Sequence, residues 1–224
     1  MLSAGLLLGV LPAAWANGGM GMPSPPRQIM PPRMQTPEEQ ARGLYNDGVH
    51  YVKKADKAQA EAAQASDARR KDRAAQDAHQ RYAEALAKFQ QAVRLDPQLS
   101  EGWNYVGYTS RKLGNYDDAL AAYDKALSLK PGYPDALEYR GEAYIALNRL
   151  PEAKQTYLEL FAGNRTLADK LLTAMKGWVA TRRTAPAGTD AASVDELDKW
   201  IQERATIASQ TAALTRAGAA ASWR

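Results

Sequence analysis

Few residues in this chain could carry out chemistry. His50 and His79 are the only imidazoles. They fall on neighbouring helical stretches about two turns apart along the axis, too far to share one metal ion. The absence of cysteine removes disulfides, thiolate metal sites, cysteine nucleophiles and a lipoprotein-type cleavage site. Paired carboxylates can act as acid and base, but Asp117 and Asp118 open a helix, where the dipole accounts for them. No serine sits in a nucleophile elbow, and no glycine-rich loop is built to cradle phosphate. Without a convergent set, neither a catalytic residue nor a cofactor is expected. One soft-ligand set stands apart. Met20, Met22, Met30 and Met34 offer thioethers of the kind that suit Cu(I), although the composition of their stretch also accounts for them.

The elements around these residues argue for binding rather than turnover. The formal net charge of +4 is small and dispersed, and no aromatic-basic motif accompanies it, so nucleic acid is not an expected partner. Residues 2–12 are almost wholly apolar, and Ala14-Trp15-Ala16 follows as a small-x-small site. This pattern predicts a signal peptide, 1–16, cut after Ala16, and hence a periplasmic or secreted protein. The run is about half of the roughly 20 residues that a spanning helix needs, so no stable membrane span is expected after cleavage. No lysine or arginine precedes the run, and the first basic residue is Arg27. Residues 17–36, dense in proline, glycine and methionine, read as an extended linker. Thr36 then caps a helix that opens with Pro37, Glu38 and Glu39.

Shifted by 34 residues, the sequence meets itself. Ala85, Ala119 and Ala153 align, as do Phe89, Tyr123 and Tyr157. Pro97 aligns with Pro131, Gly107 with Gly141, and Leu113 with Leu147. The middle unit runs Trp103, Gly107, Leu113-Gly114, Tyr116, Ala119, Tyr123, Ala126-Leu127, Pro131. In this order it resembles the tetratricopeptide-repeat (TPR) family. Each position has a physical reason. The glycines and alanines let helices cross closely, the aromatics fill the space between hairpins, and the prolines end one hairpin and release the next helix. The resemblance implies an all-α solenoid of about three helical hairpins: 37–99, 100–133 and 134–167. The third unit departs from the pattern, with Leu160 at a small-residue position and Arg165 at the proline position. Capping helices are expected over 168–210, with Leu167, Leu171, Met175 and Trp178 covering the open end. Ser193 to Glu196 reads as a capping box for the last helix, and 211–224 as a flexible tail.

The first unit is overgrown. Its two helices are separated by about 25 residues more than the other units allow, and that stretch is alanine-rich without proline or glycine. Two helices overrunning the array by about three turns are expected, bent near Ser66-Asp67 and packed through Ala55, Ala58, Ala62 and Ala65 against Ala68, Ala75, Ala78 and Tyr82.

In TPR arrays the first helix of each hairpin lines a concave groove. By resemblance, Tyr45, Val49 and Val52 come from the first unit, and Glu101, Asn104, Tyr105, Tyr108, Arg111 and Lys112 from the second. The third supplies Asp135, Glu138, Tyr139 and Glu142. Tyrosines make rigid, amphipathic anchors. The lysine and arginine clamp that some family members use for a terminal carboxylate is missing. The acidic trio of the third unit suits instead a peptide with a lysine or arginine. The expected function is a non-catalytic module that binds a peptide or a partner's helix. The alternative is self-assembly through the long alanine-rich hairpin.

Overall fold

The computed structural model describes residues 33–184 and 191–221. Those from 35 onward belong to a single unit, Gln35–Arg224. Among them eight helices follow one another: α1 (Pro37–Gln64), α2 (Ala68–Leu95), α3 (Ser100–Lys112), α4 (Tyr116–Leu129), α5 (Pro134–Ala146), α6 (Leu150–Gly163), α7 (Arg165–Arg183) and α8 (Ala191–Ala221). The fold is all-α, with helices paired in successive hairpins, an order consistent with the expected solenoid.

Local chemistry sets the ends. Thr36 Oγ1 accepts from the Glu39 N–H at 3.2 Å, and Glu39 Oε2 accepts from the Thr36 N–H at 2.9 Å. That reciprocal box satisfies two donors left open by the helix start. Asp67 caps α2 by accepting from the Arg70 N–H at 2.9 Å, so the overgrown hairpin turns at 65–67. Ala55, Ala58, Ala62 and Ala78 are buried between its arms, where a methyl is all that a close helix crossing admits. Ala65 is only half-buried, and Ala68 and Ala75 face solvent, so the seam is narrower near the turn than expected. The tight turns of the next two hairpins place Gly114 at φ +83° and its repeat equivalent Asn148 at φ 58°. Asparagine is among the few side chains that tolerate this left-handed position.

The repeat glycines are contact points. A Cβ on Gly48 would lie 2.6 Å from the Phe89 ring, and one on Gly107 would lie 2.5 Å from Tyr123. Both rings are fully buried and belong to the second helix of the same hairpin. At Gly141 the nearest group is instead Leu171 of α7, at 2.6 Å. The helix after the third unit therefore presses directly on α5.

Asn164 makes that step possible. Its N–H donates to the Leu160 carbonyl at 2.6 Å, and its Oδ1 accepts from Leu167 N–H at 3.0 Å, so it closes α6 and opens α7. Leu171 and Met175 are buried, while Leu167 and Trp178 are partly so. With Val194, Leu197 and Ile201 of α8 they cover the end of the array. Two boundaries differ from expectation. α8 already begins at Ala191, so Ser193 lies inside its first turn rather than before it. The helix also runs on to Ala221, through the stretch expected as a tail, because alanine-rich sequence keeps its backbone helical.

Candidate functional site

The first helices of the hairpins share one face, and tyrosines run across it. Tyr45 of α1 meets Tyr105 of α3 edge-on, with ring centroids 5.6 Å apart. Tyr105 meets Tyr108 at 6.2 Å, and Tyr108 meets Tyr139 of α5 at 5.0 Å. Phe89 of α2 stacks on Tyr105 at 4.9 Å and 20° from beneath. Edge-to-face and offset contacts of this kind hold rings rigidly at little entropic cost. Helical spacing produces the ladder. Tyr105 and Tyr108 are three apart on α3, and Tyr105 and Tyr139 are separated by one repeat of 34. Tyr45 titrates near 12, raised chiefly by burial and next by Tyr105. Burial likewise raises Tyr105 and Tyr139.

Charged side chains are woven between the rings. Arg111 lies over Tyr108 and Tyr139, at 5.5 and 5.6 Å, and pairs with Glu142 at 2.7 Å. Lys112 lies 5.5 Å over both Tyr82 and Tyr108 and donates to Gln59. Burial lowers its pKa, with Arg111 adding to the effect. Lys170 of α7 pairs with Glu138 at 2.9 Å and sits 5.2 Å over Tyr139. Glu138 is 1% exposed, and its pKa rises to about 7. Burial is the main cause and the Glu142 carboxylate the next; together they outweigh the opposing pull of Lys170. Asp56 of α1 accepts from the hydroxyls of Tyr82 and Tyr108, at 2.5 and 2.8 Å.

This network alters the reading of the acidic trio. Glu138 and Glu142 are already paired within the chain, to Lys170 and Arg111. Only Asp135, exposed on the first turn of α5, has no ion pair to another described residue. Glu101 lies 3.9 Å from Lys130, its Oε2 accepting from Ser100. Asn104 is buried at 2% exposure, with no partner for Oδ1. Val49 packs half-buried beneath the ladder, and Val52 is fully in the core below it. The tyrosines thus lie in contact along one side of α1, α3 and α5, while the deeper residues there are packing or paired. The surface members of this side are Tyr45, Tyr105, Tyr108, Tyr139, Arg111, Lys112, Glu101 and Asp135.

Asp56, Gln59 and Lys170 joined the site without being anticipated. Asp56 and Gln59 lie on α1 beyond the length of an ordinary repeat, so no alignment of units points to them. Lys170 arrives because α7 packs on α5, which Gly141 hints at only once its contact with Leu171 is known. Met20, Met22 and Met30 of the methionine set lie outside the described residues, and Met34 is exposed. His50 and His79 are both exposed, on different helices. Among the described residues no three His, Asp or Glu side chains are grouped as a metal site.

Residues 73–134 match one tetratricopeptide-repeat family model, and residues 111–174 match another. Together the two matches span 73–174, so that stretch is similar to tetratricopeptide repeats. Among solved structures, it is similar to the first TPR domain of Spaghetti bound to an HSP90 peptide. The identity is 19% and the TM-score 0.47, over 65% of this chain and 98% of the other. The CopN–Scc3 complex matches at 19% identity and a TM-score of 0.44, over 59% of this chain and 67% of the other. The TPR2B domain of yeast Sti1, in complex with pHsp70, matches at 15% identity and 0.39, over 74% and 98%.

Proposed function

We propose that this chain is a non-catalytic interaction module that holds an extended peptide or a partner's helix across the face of α1, α3 and α5. One observation carries the reading: the unbroken tyrosine ladder from Tyr45 through Tyr105 and Tyr108 to Tyr139. Rigid rings offer contact area without a large ordering cost, which is what a binding face needs. The hydroxyls of Tyr45, Tyr105 and Tyr139 make no hydrogen bond to another described residue, whereas that of Tyr108 is held by Asp56. Asp135 then complements a lysine or arginine of the partner, the remaining acids of its unit being paired.

In-cell photo-crosslinking tests this reading. A photoreactive phenylalanine at Tyr105 should give a discrete adduct, and one at Glu196 on α8 should not. Asp135→Asn should weaken the captured complex by about 1 kcal/mol or less, as a rim charge does. In a pull-down with the unlabelled chain, combining it with Tyr105→Ala should abolish capture without loss of helical signal. An identical adduct pattern from both positions would place the contact elsewhere. Self-assembly through the long hairpin has less to work with, since Ala55, Ala58, Ala62 and Ala78 are consumed between its own arms.

The module is proposed to act outside the cytosol, after cleavage behind Ala16. Support comes from the apolar run at 2–12 and the Ala14-Trp15-Ala16 site, which lie outside the described residues. No helix among the described residues is long and apolar enough to cross a membrane. N-terminal sequencing of fractionated protein should find Asn17 first; an intact Met1 in the cytosol would sink the idea.

A further inference from the structure

Because the array repeats every 34 residues, one space between hairpins can be compared with the next. In the second hairpin Trp103 fills this space, packing among Val93, Val106 and Tyr123 and donating its Nε1–H to the Pro97 carbonyl at 3.0 Å. In the third hairpin the equivalent residue is Leu137, and Gly163 stands in the place of Leu129. Leu160 in place of Ala126 returns only part of the lost volume. A cleft of about 490 Å³ remains, open to solvent on one side and walled by Leu127, Leu137, Leu160, Gly163, Arg140 and Glu159. None of the tyrosine-face residues lines it. Arg140 bridges Asp124 at 3.0 Å and Glu159 at 3.4 Å, yet its Nε is buried with no acceptor. A buried donor without a partner costs free energy, which the electron-rich face of an aromatic ring can relieve in part through an N–H···π contact.

We infer that this cleft docks an aromatic side chain, specifically the indole of a tryptophan presented by a protein partner. Its volume falls in the range of about 300–1,000 Å³ typical of sites for small groups. The leucine walls take the ring, and the Arg140 guanidinium supplies a cation for its π face. The Pro131 carbonyl is the repeat equivalent of the one that accepts from Trp103, and Glu159 offers a second acceptor. The neighbouring interface thus shows what such a space holds when the chain fills it from within. The open side leaves room for the backbone of the residue that carries the indole.

Titrating N-acetyltryptophanamide into the full chain with labelled leucine methyls tests this. Saturable shifts are expected at Leu127, Leu137 and Leu160, with a Kd on the order of 1 mM. N-acetylleucinamide should bind at least about tenfold more weakly. Leu137→Trp and, separately, Gly163→Leu fill the cleft from within, and each should abolish the shifts. A Cβ on Gly163 meets nothing within 4 Å, so that variant keeps the test decisive if the tryptophan is not accommodated. Three outcomes would overturn the inference: no saturable shift, an equal response to the leucine analogue, or shifts that survive filling. Free indole binding at least about tenfold more tightly than the amide would assign the cleft to a small molecule and overturn the partner reading.

Discussion

At the scale of single residues, the repeat positions behave as steric instructions. Gly107 touches a buried tyrosine ring at a distance no real Cβ adopts, so Gly107→Ala forces Tyr123 or a helix to move. The expected loss is about 1–3 kcal/mol, as for other overpacked cores. Gly177, in the interior of α7, has nothing within 4 Å of an added Cβ. Gly177→Ala should raise stability by about 0.5–1 kcal/mol, because alanine loses less backbone freedom on entering a helix. Thermal melts of the two variants should therefore move in opposite directions. Equal shifts would show that intrinsic helix propensity, and not the ring contact, selects the glycine.

At the scale of elements, charged side chains join helices that the hydrophobic pattern leaves separate. Lys170 ties α7 to α5 through Glu138, Arg111 ties α3 to α5 through Glu142, and Asp56 ties α1 to α2 and α3. The first of these ties predicts a pH response. Glu138 rises from an ordinary 4.5 to about 7, so the folded chain holds this proton more tightly than the unfolded chain does. Its stabilising contribution is complete below the ordinary carboxyl value and fades as pH rises through 7. Melting temperatures of the native chain should fall between about pH 5 and pH 8, and Glu138→Gln should flatten that fall. Parallel curves for the two proteins would mean that Glu138 does not titrate in this window.

At the scale of the whole molecule, each hairpin depends on its neighbour for a core. Leu171, Leu172, Met175, Val179, Val194, Leu197 and Ile201 of α7 and α8 are all buried against the third hairpin or each other. Burying such a side chain contributes about 1.5–3 kcal/mol, against a net stability of about 5–15 kcal/mol for a typical domain. A chain ending at Gly163 should therefore lose cooperative unfolding in thermal and denaturant melts, although its repeat signature would be intact. A sharp transition close to that of the full chain would show that the third hairpin closes its own core.

The sequence alone determined the repeat. A 34-residue recurrence of glycine, alanine, aromatic and proline positions specifies paired helices, because those residue types answer local steric demands that repeat with the chain. Alanine content without proline or glycine was enough to turn the extra residues of the first unit into longer helices, and Ser66-Asp67 marked their bend. The tyrosines of the candidate face were legible for the same reason, since helical spacing puts them on one side. Tertiary structure alone decided which charges on that face are free. Glu138 and Glu142 read as available carboxylates until Lys170 and Arg111 arrived from other helices. Their partners lie 32 and 31 positions away along the chain, and no local pattern encodes such a meeting. The empty space beside Leu137 is of the same kind: substitutions far apart in sequence open a cavity only where helices stack.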